Sequence, residues 1–206
     1  MPYSPEHRVQ VRERIVVSAR RLFNRHGFNA VSIDDVMADA GLTRGSFYAY
    51  FDSKSDLYAH AISAILSEKP VDSWDGVSID PRAGEVSVKI IDDYLSVGHF
   101  EDIDGSCPLV ALPNDVSRTE ASVKRAFEQV LKTLIDIFEQ GLQRDGEAAR
   151  RKALAMASLC VGGMVLARTV DDRALGDELR SAARSVARSL GGWNGTADVD
   201  DPMPAS

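Results

Sequence analysis

The residues best equipped for chemistry lie between Ser32 and Lys54, in the run Thr43-Arg44-Gly45-Ser46-Phe47-Tyr48-Ala49-Tyr50-Phe51 and its flanks. No catalytic residues are expected among them. There is no nucleophile with an identifiable base and no Gly-rich phosphate loop. His7, His26, His60, His99 and the two cysteines lack the mutual spacing of a metal site, so no metal and no cofactor are expected. What the run does offer is hydrogen bonding to double-stranded DNA. Arg44 can fork onto a guanine. Ser32 and Thr43 stand where helices begin, and free N–H groups there favour a phosphate. Lys54 adds a cation at a third helix start. Gly45 and Ala49 make a small-residue centre through which a backbone can approach base edges, flanked by Ser46 and Tyr48. Tyr50 lies on the apolar edge, where core packing and DNA contact are both open. Ser32, Thr43 and Lys54 are therefore expected to position the chain on phosphates, and Arg44, Gly45 and Tyr48 to read bases.

Short helices must hold these residues. From Arg8 to His26, Val11, Ile15, Ala19, Leu22 and Phe23 recur at helical spacing, with the arginines largely off that face. Gly27 ends this helix. Ser32 and Asp35 make a variant capping box for Ile33–Ala40. Gly41-Leu42 supplies a tight turn, and Thr43 caps a second short helix over Arg44–Phe51. A fourth helix starts after Ser53 and runs to about Glu68. Two helices this short cannot survive alone. They persist if Val36, Ala40, Leu42, Phe47 and Phe51 pack on each other and on the first helix. That is helix-turn-helix grammar, in which the second helix enters the major groove.

At these residues the chain resembles the tetracycline-repressor (TetR/AcrR) family of bacterial regulators. The resemblance rests on Ala19…Leu22-Phe23…His26-Gly27-Phe28, on Ser32-Ile33-Asp34-Asp35-Val36, on Ala40 through Tyr48, and on Tyr50 through Leu57. Met37 departs from the usual alanine and is flexible enough to pack in its place. The resemblance implies a homodimer, a C-terminal ligand-binding domain, and release of an operator when an unknown small molecule binds. A transcriptional activator of the same family is the alternative, and a helical enzyme or carrier with a vestigial DNA-binding domain is the remote one.

The rest of the chain fits this layout. Residues 1–55 carry eight Lys/Arg against six Asp/Glu, while 56–206 carry sixteen against twenty-five, so the net charge of −7 resides outside the first quarter. After a Pro/Gly/Asp-rich loop at 70–80, helices are expected at Pro81–His99, Pro108–Ser117, Glu120–Arg144, Glu147–Val170 and Arg173–Leu190. The fold class is all-α. The expected division is a three-helix DNA-binding domain over 1–55, a helical ligand-binding and dimerisation domain over 56–190, and a disordered tail over 191–206. Ala153, Ala157, Cys160, Val161 and Met164, beside Gly162-Gly163, are expected to meet a second subunit, as are Leu175, Leu179, Ala182, Ala183, Val186 and Leu190. The apolar stretch Ala153–Ala167 rises about 22 Å, short of the roughly 30 Å a membrane needs, so no membrane is expected. With no signal peptide visible and two distant cysteines, the cytoplasm is the expected location. Cys107, before Pro108 at a helix start, is the candidate for electrophile or redox sensing, weighed against a small buried residue in a turn. Cys160 is expected to be inert. Trp74, Tyr94, Phe100 and Phe127 are candidates for lining a pocket.

Overall fold

The computed structural model describes residues 4–68, 84–142 and 146–193, and every regular element among them is helical. α1 (Pro5–His26) begins where the Ser4 hydroxyl accepts from His7 N at 3.2 Å, with Pro5 in the first turn, where its missing N–H costs nothing. It ends at Gly27, whose φ of 79° suits glycine. α2 (Ile33–Asp39) carries the expected capping box of Ser32 and Asp35. Gly41 turns the chain at φ 68°. Residues Arg44–Ala49 then form a 3-10 turn, followed by α3 (Lys54–Ser63) and α4 (Ile65–Glu68).

The 3-10 turn corrects the α-helix expected over Arg44–Phe51. Ser46 N donates to Thr43 O at 3.1 Å and Tyr50 N to Phe47 O at 2.9 Å, both three residues back. A six-residue piece containing Gly45 has weak helix propensity and few bonds to gain, so it tightens. Phe47 and Phe51, both buried, bolt it to Val36, Met37 and Ala40 of the α2 end and to Phe23 and Leu57 in one continuous core. Met37 is fully enclosed, as its flexibility allows.

The C-terminal helices are α5 (Glu85–Tyr94), α6 (Val97–Glu101), α7 (Pro108–Ala111), α8 (Pro113–Ser117), α9 (Ala121–Gly141), α10 (Ala148–Thr169) and α11 (Arg173–Leu190). Three expected helices are broken. The one through His99 stops at Leu95, whose carbonyl accepts from Arg180 Nη1 at 3.0 Å and Arg184 Nη2 at 2.7 Å, and Ser96 caps a new start. The one over Pro108–Ser117 breaks before Pro113, which has no N–H to continue it. The helix expected after Ser53 is divided at Ala64. The loop at 70–80 with Trp74, the helix start at Pro81, Arg144, and the tail from residue 194 lie outside the described residues.

α10 packs mainly on α11 and α9. Ala153, Ala157, Cys160 and Met164 are buried within their own subunit, which corrects their assignment to an inter-subunit face. Ala183 is buried likewise, because a Cβ on Gly163 would stand only 2.6 Å from it: that glycine brings α10 and α11 together inside one chain. The large apolar side chains exposed on these helices are Leu154, Leu166, Leu175 and Val186, with open space beside Gly162. Among the described helices α10 is long and apolar enough to cross a membrane, by length and composition only, and part of it is buried in the fold.

Candidate nucleic-acid interface

The 3-10 turn presents its outer side to solvent because Phe47 and Phe51 commit the inner side to the core. Thr43 is exposed at the N-cap position and its hydroxyl makes no capping bond. The Arg44 side chain is 61% exposed, and its Nη1 lies 2.5 Å from Asp34 Oδ2. Gly45 is open, since a Cβ there would meet nothing within 4 Å. Tyr48 is 63% exposed, with its ring set edge-on against Phe47 at 5.1 Å. All four of these residues are exposed. The Ser46 hydroxyl donates to Thr43 O at 2.7 Å and so stiffens the turn. Tyr50 is half-buried against the core.

Ser32 and Lys54 sit differently. The Ser32 hydroxyl and amide both donate to Asp35 Oδ2, at 2.7 and 2.8 Å, while Asp35 N donates to the hydroxyl at 3.1 Å. These bonds hold the Asp35 carboxyl below its ordinary pKa. A phosphate at Ser32 would share its donors with a carboxylate. Lys54 Nζ lies 4.3 Å over the Phe28 ring, a cation–π contact that keeps the charge at the start of α3. Burial lowers its pKa, and Asp115 and Asp35 oppose that shift.

Sequence reasoning missed two basic residues here. Arg8 Nη2 donates to the Ala49 carbonyl at 3.5 Å, and the Arg12 guanidinium lies 5.0 Å over the Phe51 ring. They are four apart on α1, a spacing that puts both on one side of the helix, so the signal was available.

Cys107 is buried and lies away from this surface, at the start of the four-residue α7. Its N–H donates to His99 Nε2 at 3.4 Å, while His99 Nδ1 lies 2.7 Å from Tyr94 O. Burial first, then the nearby Cys107 thiol, raises the pKa of the buried Tyr94 hydroxyl well above the ordinary value. Burial pushes the Cys160 thiol up to about 12. Among the described residues no three His, Cys, Asp or Glu side chains gather as metal ligands.

The loop before Cys107 ties the two halves of the chain together. Asn24 Nδ2 donates to the carbonyls of Asp104 (3.0 Å) and Ser106 (2.9 Å), and Arg20 donates to that of Gly105 (3.3 Å). Arg25 forks onto Asp104 with two bonds of 2.8 Å, which holds that carboxyl below its ordinary pKa. From the other side Arg168 of α10 donates to Phe100 O at 3.2 Å and Ser106 Oγ at 2.6 Å. Phe28 N donates to Asp115 Oδ2 of α8 at 2.8 Å.

Comparison with known proteins agrees with this geometry. Residues 15–61, which contain the whole helix-turn-helix, match the family described as bacterial regulatory proteins, tetR family. The HTH-type transcriptional regulator LmrA of Bacillus subtilis is 24% identical over 166 residues, covering 77% of this chain and 86% of LmrA. Reduced NemR of Escherichia coli superposes with a TM-score of 0.70 at 18% identity, over 87% of this chain and 96% of NemR. The SmeT–triclosan complex superposes with a TM-score of 0.64 at 19% identity, over 95% of this chain and all of that one. Residues 15–61 thus match the helix-turn-helix domain of the tetR family of bacterial regulatory proteins, and the chain is a DNA-binding, helix-turn-helix regulator of transcription.

Proposed function

We propose that this regulator is a homodimeric repressor that leaves a palindromic operator when a small molecule binds its C-terminal half. The observation that carries the proposal is the open, glycine-centred tip formed by Thr43, Arg44, Gly45 and Tyr48, stiffened from behind by Phe47 and Phe51. Ser32, Ser46, Tyr50 and Lys54 complete the contact set, with Ser32 and Lys54 on phosphates. Residues 1–55 bind DNA. Residues 56–190 dimerise and take the effector, and the protein works in the cytoplasm.

Dimerisation is supported by the uncovered apolar side of α10 and α11 around Leu154, Leu166, Leu175 and Val186. A long apolar helix with much of its surface uncovered needs a further partner, and a second copy supplies one symmetrically. A twofold pair would set two tips on successive major grooves, about 34 Å apart. The effector need only prefer one arrangement of the halves, with a coupling of about 1–3 kcal/mol. The loop held by Arg168 on one side and by Asn24 and Arg25 on the other supports a mechanical route between the halves.

The route passes Cys107, which keeps electrophiles among the effector classes even though the thiol is buried: an adduct would have to prise the loop from His99 and α1. The test is a gel shift with duplex from upstream of the protein's own coding region, with and without electrophilic and apolar aromatic compounds. Retention of the duplex by wild type and its release by a compound support the proposal. No retention on any such duplex contradicts it, and release by electrophiles that persists in Cys107→Ser removes the thiol from it.

A further inference from the structure

Asp34 is the second residue of α2 and Arg44 the first of the 3-10 turn, and their side chains meet at 2.5 Å across the helix-turn-helix. Both are more than half exposed, at 55% and 61%. A pair so open to water adds almost nothing to stability, so holding the fold together does not account for it. Its effect is on the orientation of one guanidinium. Asp34 engages Nη1, and Arg44 Nε and Nη2 make no hydrogen bond among the described residues. Those two N–H groups are parallel donors, the fork that matches N7 and O6 of guanine.

We propose that Asp34 is a positioning residue for base reading: it holds the Arg44 guanidinium with its Nε–Nη2 edge turned to the major groove. Discrimination of guanine is then a property of the pair rather than of Arg44 alone. This rests on Arg44 being a base-reading residue and adds a partner whose charge is wrong for DNA. A carboxylate beside phosphates weakens binding to duplex of any sequence. Asp34 therefore works against general affinity and for specificity. Without it, the ordering of a rotamer-rich side chain falls on the binding step, a cost of about two- to tenfold.

The experiment uses the full-length chain and two probes: the duplex it selects from a random pool, substituted one base pair at a time, and unselected random duplex. Asp34→Asn should lower discrimination at the base pair read by Arg44 by about two- to tenfold and raise affinity for random duplex. In an Arg44→Ala background it should lower discrimination no further, an outcome that a purely structural role for Asp34 would not produce. Thermal melting of each variant verifies the fold. Unchanged discrimination in Asp34→Asn, equal loss on every duplex, or the same loss with Arg44 already removed would each overturn the inference. If Arg44→Ala alters discrimination nowhere, the base-reading assignment fails and takes the inference with it. If Arg44→Ala does and Asp34→Asn does not, only the inference fails.

Discussion

Gly45 offers the sharpest separation of fold from function. In the unbound protein a Cβ at this position meets nothing within 4 Å, and the backbone φ is not positive. Gly45→Ala and Gly45→Leu should therefore leave folding stability within about ±0.5 kcal/mol, or raise it slightly as glycine's backbone entropy is removed. On DNA, in the proposed mode of binding, the same atoms would stand between the turn and the base edges. A Cβ adds about 1.5 Å of carbon at the centre of the contact, enough to carry hydrogen bonds of about 2.9 Å past the range at which they hold. The Arg44 fork, about 1–3 kcal/mol, is the smallest loss expected. Leucine should cost more than about 3 kcal/mol, over a hundredfold in affinity. Fluorescence anisotropy on the selected duplex measures binding, and denaturant unfolding measures stability. Gly45→Leu binding within twofold of the parent, at equal stability, would refute a close backbone approach.

Four other expectations follow from the same geometry. Arg44→Ala should lower operator affinity by about 1–3 kcal/mol and relax preference at one base pair per half-site; equal loss on all sequences would make Arg44 a phosphate contact. Lys54→Ala should reduce the slope of log affinity against log salt by about one per subunit, and an unchanged slope would mean its charge stays over Phe28. Leu166→Glu or Val186→Glu should shift light-scattering mass from dimer to monomer and weaken duplex binding, whereas an intact dimer would place the interface elsewhere. The Arg25 fork lowers the folded pKa of Asp104, so its contribution is present above the unfolded value of about 3.9 and is lost as pH falls through the folded one. The melting temperature of the parent should then fall faster below about pH 4 than that of Asp104→Asn, and parallel curves would exclude the pair from the joint.

Much of the architecture was readable in local signals. α11 runs over the expected Arg173–Leu190 because the Asp172 carboxylate caps Ala174 N and Leu175 N, and glycine follows the last turn. Ser32, Gly27 and Gly41 marked their turns for similar reasons. The break at Pro113 was legible and passed over. The break at Leu95 was not, since Arg180 and Arg184 take its carbonyl from some ninety residues downstream. α10 defeated the choice of face because alanine, cysteine and methionine fit an intramolecular core as well as a partner, and only the neighbouring Ala183 shows which. In the proposed contact set, Thr43, Arg44, Gly45 and Tyr48 were chosen from spacing within one segment, and all four are exposed. Asp34 on Arg44, Lys54 on Phe28 and Arg8 on Ala49 are tertiary contacts that no single-segment pattern encodes.

The most direct measurement is selection of duplexes from a random pool by the purified full-length chain, followed by sequencing of what is retained. Two copies of one tip related by a twofold axis predict an inverted repeat, with half-site centres one helical turn of about 10–10.5 base pairs apart or a multiple of it. Retention of a single asymmetric site, or no enrichment at modest ionic strength, would contradict the account.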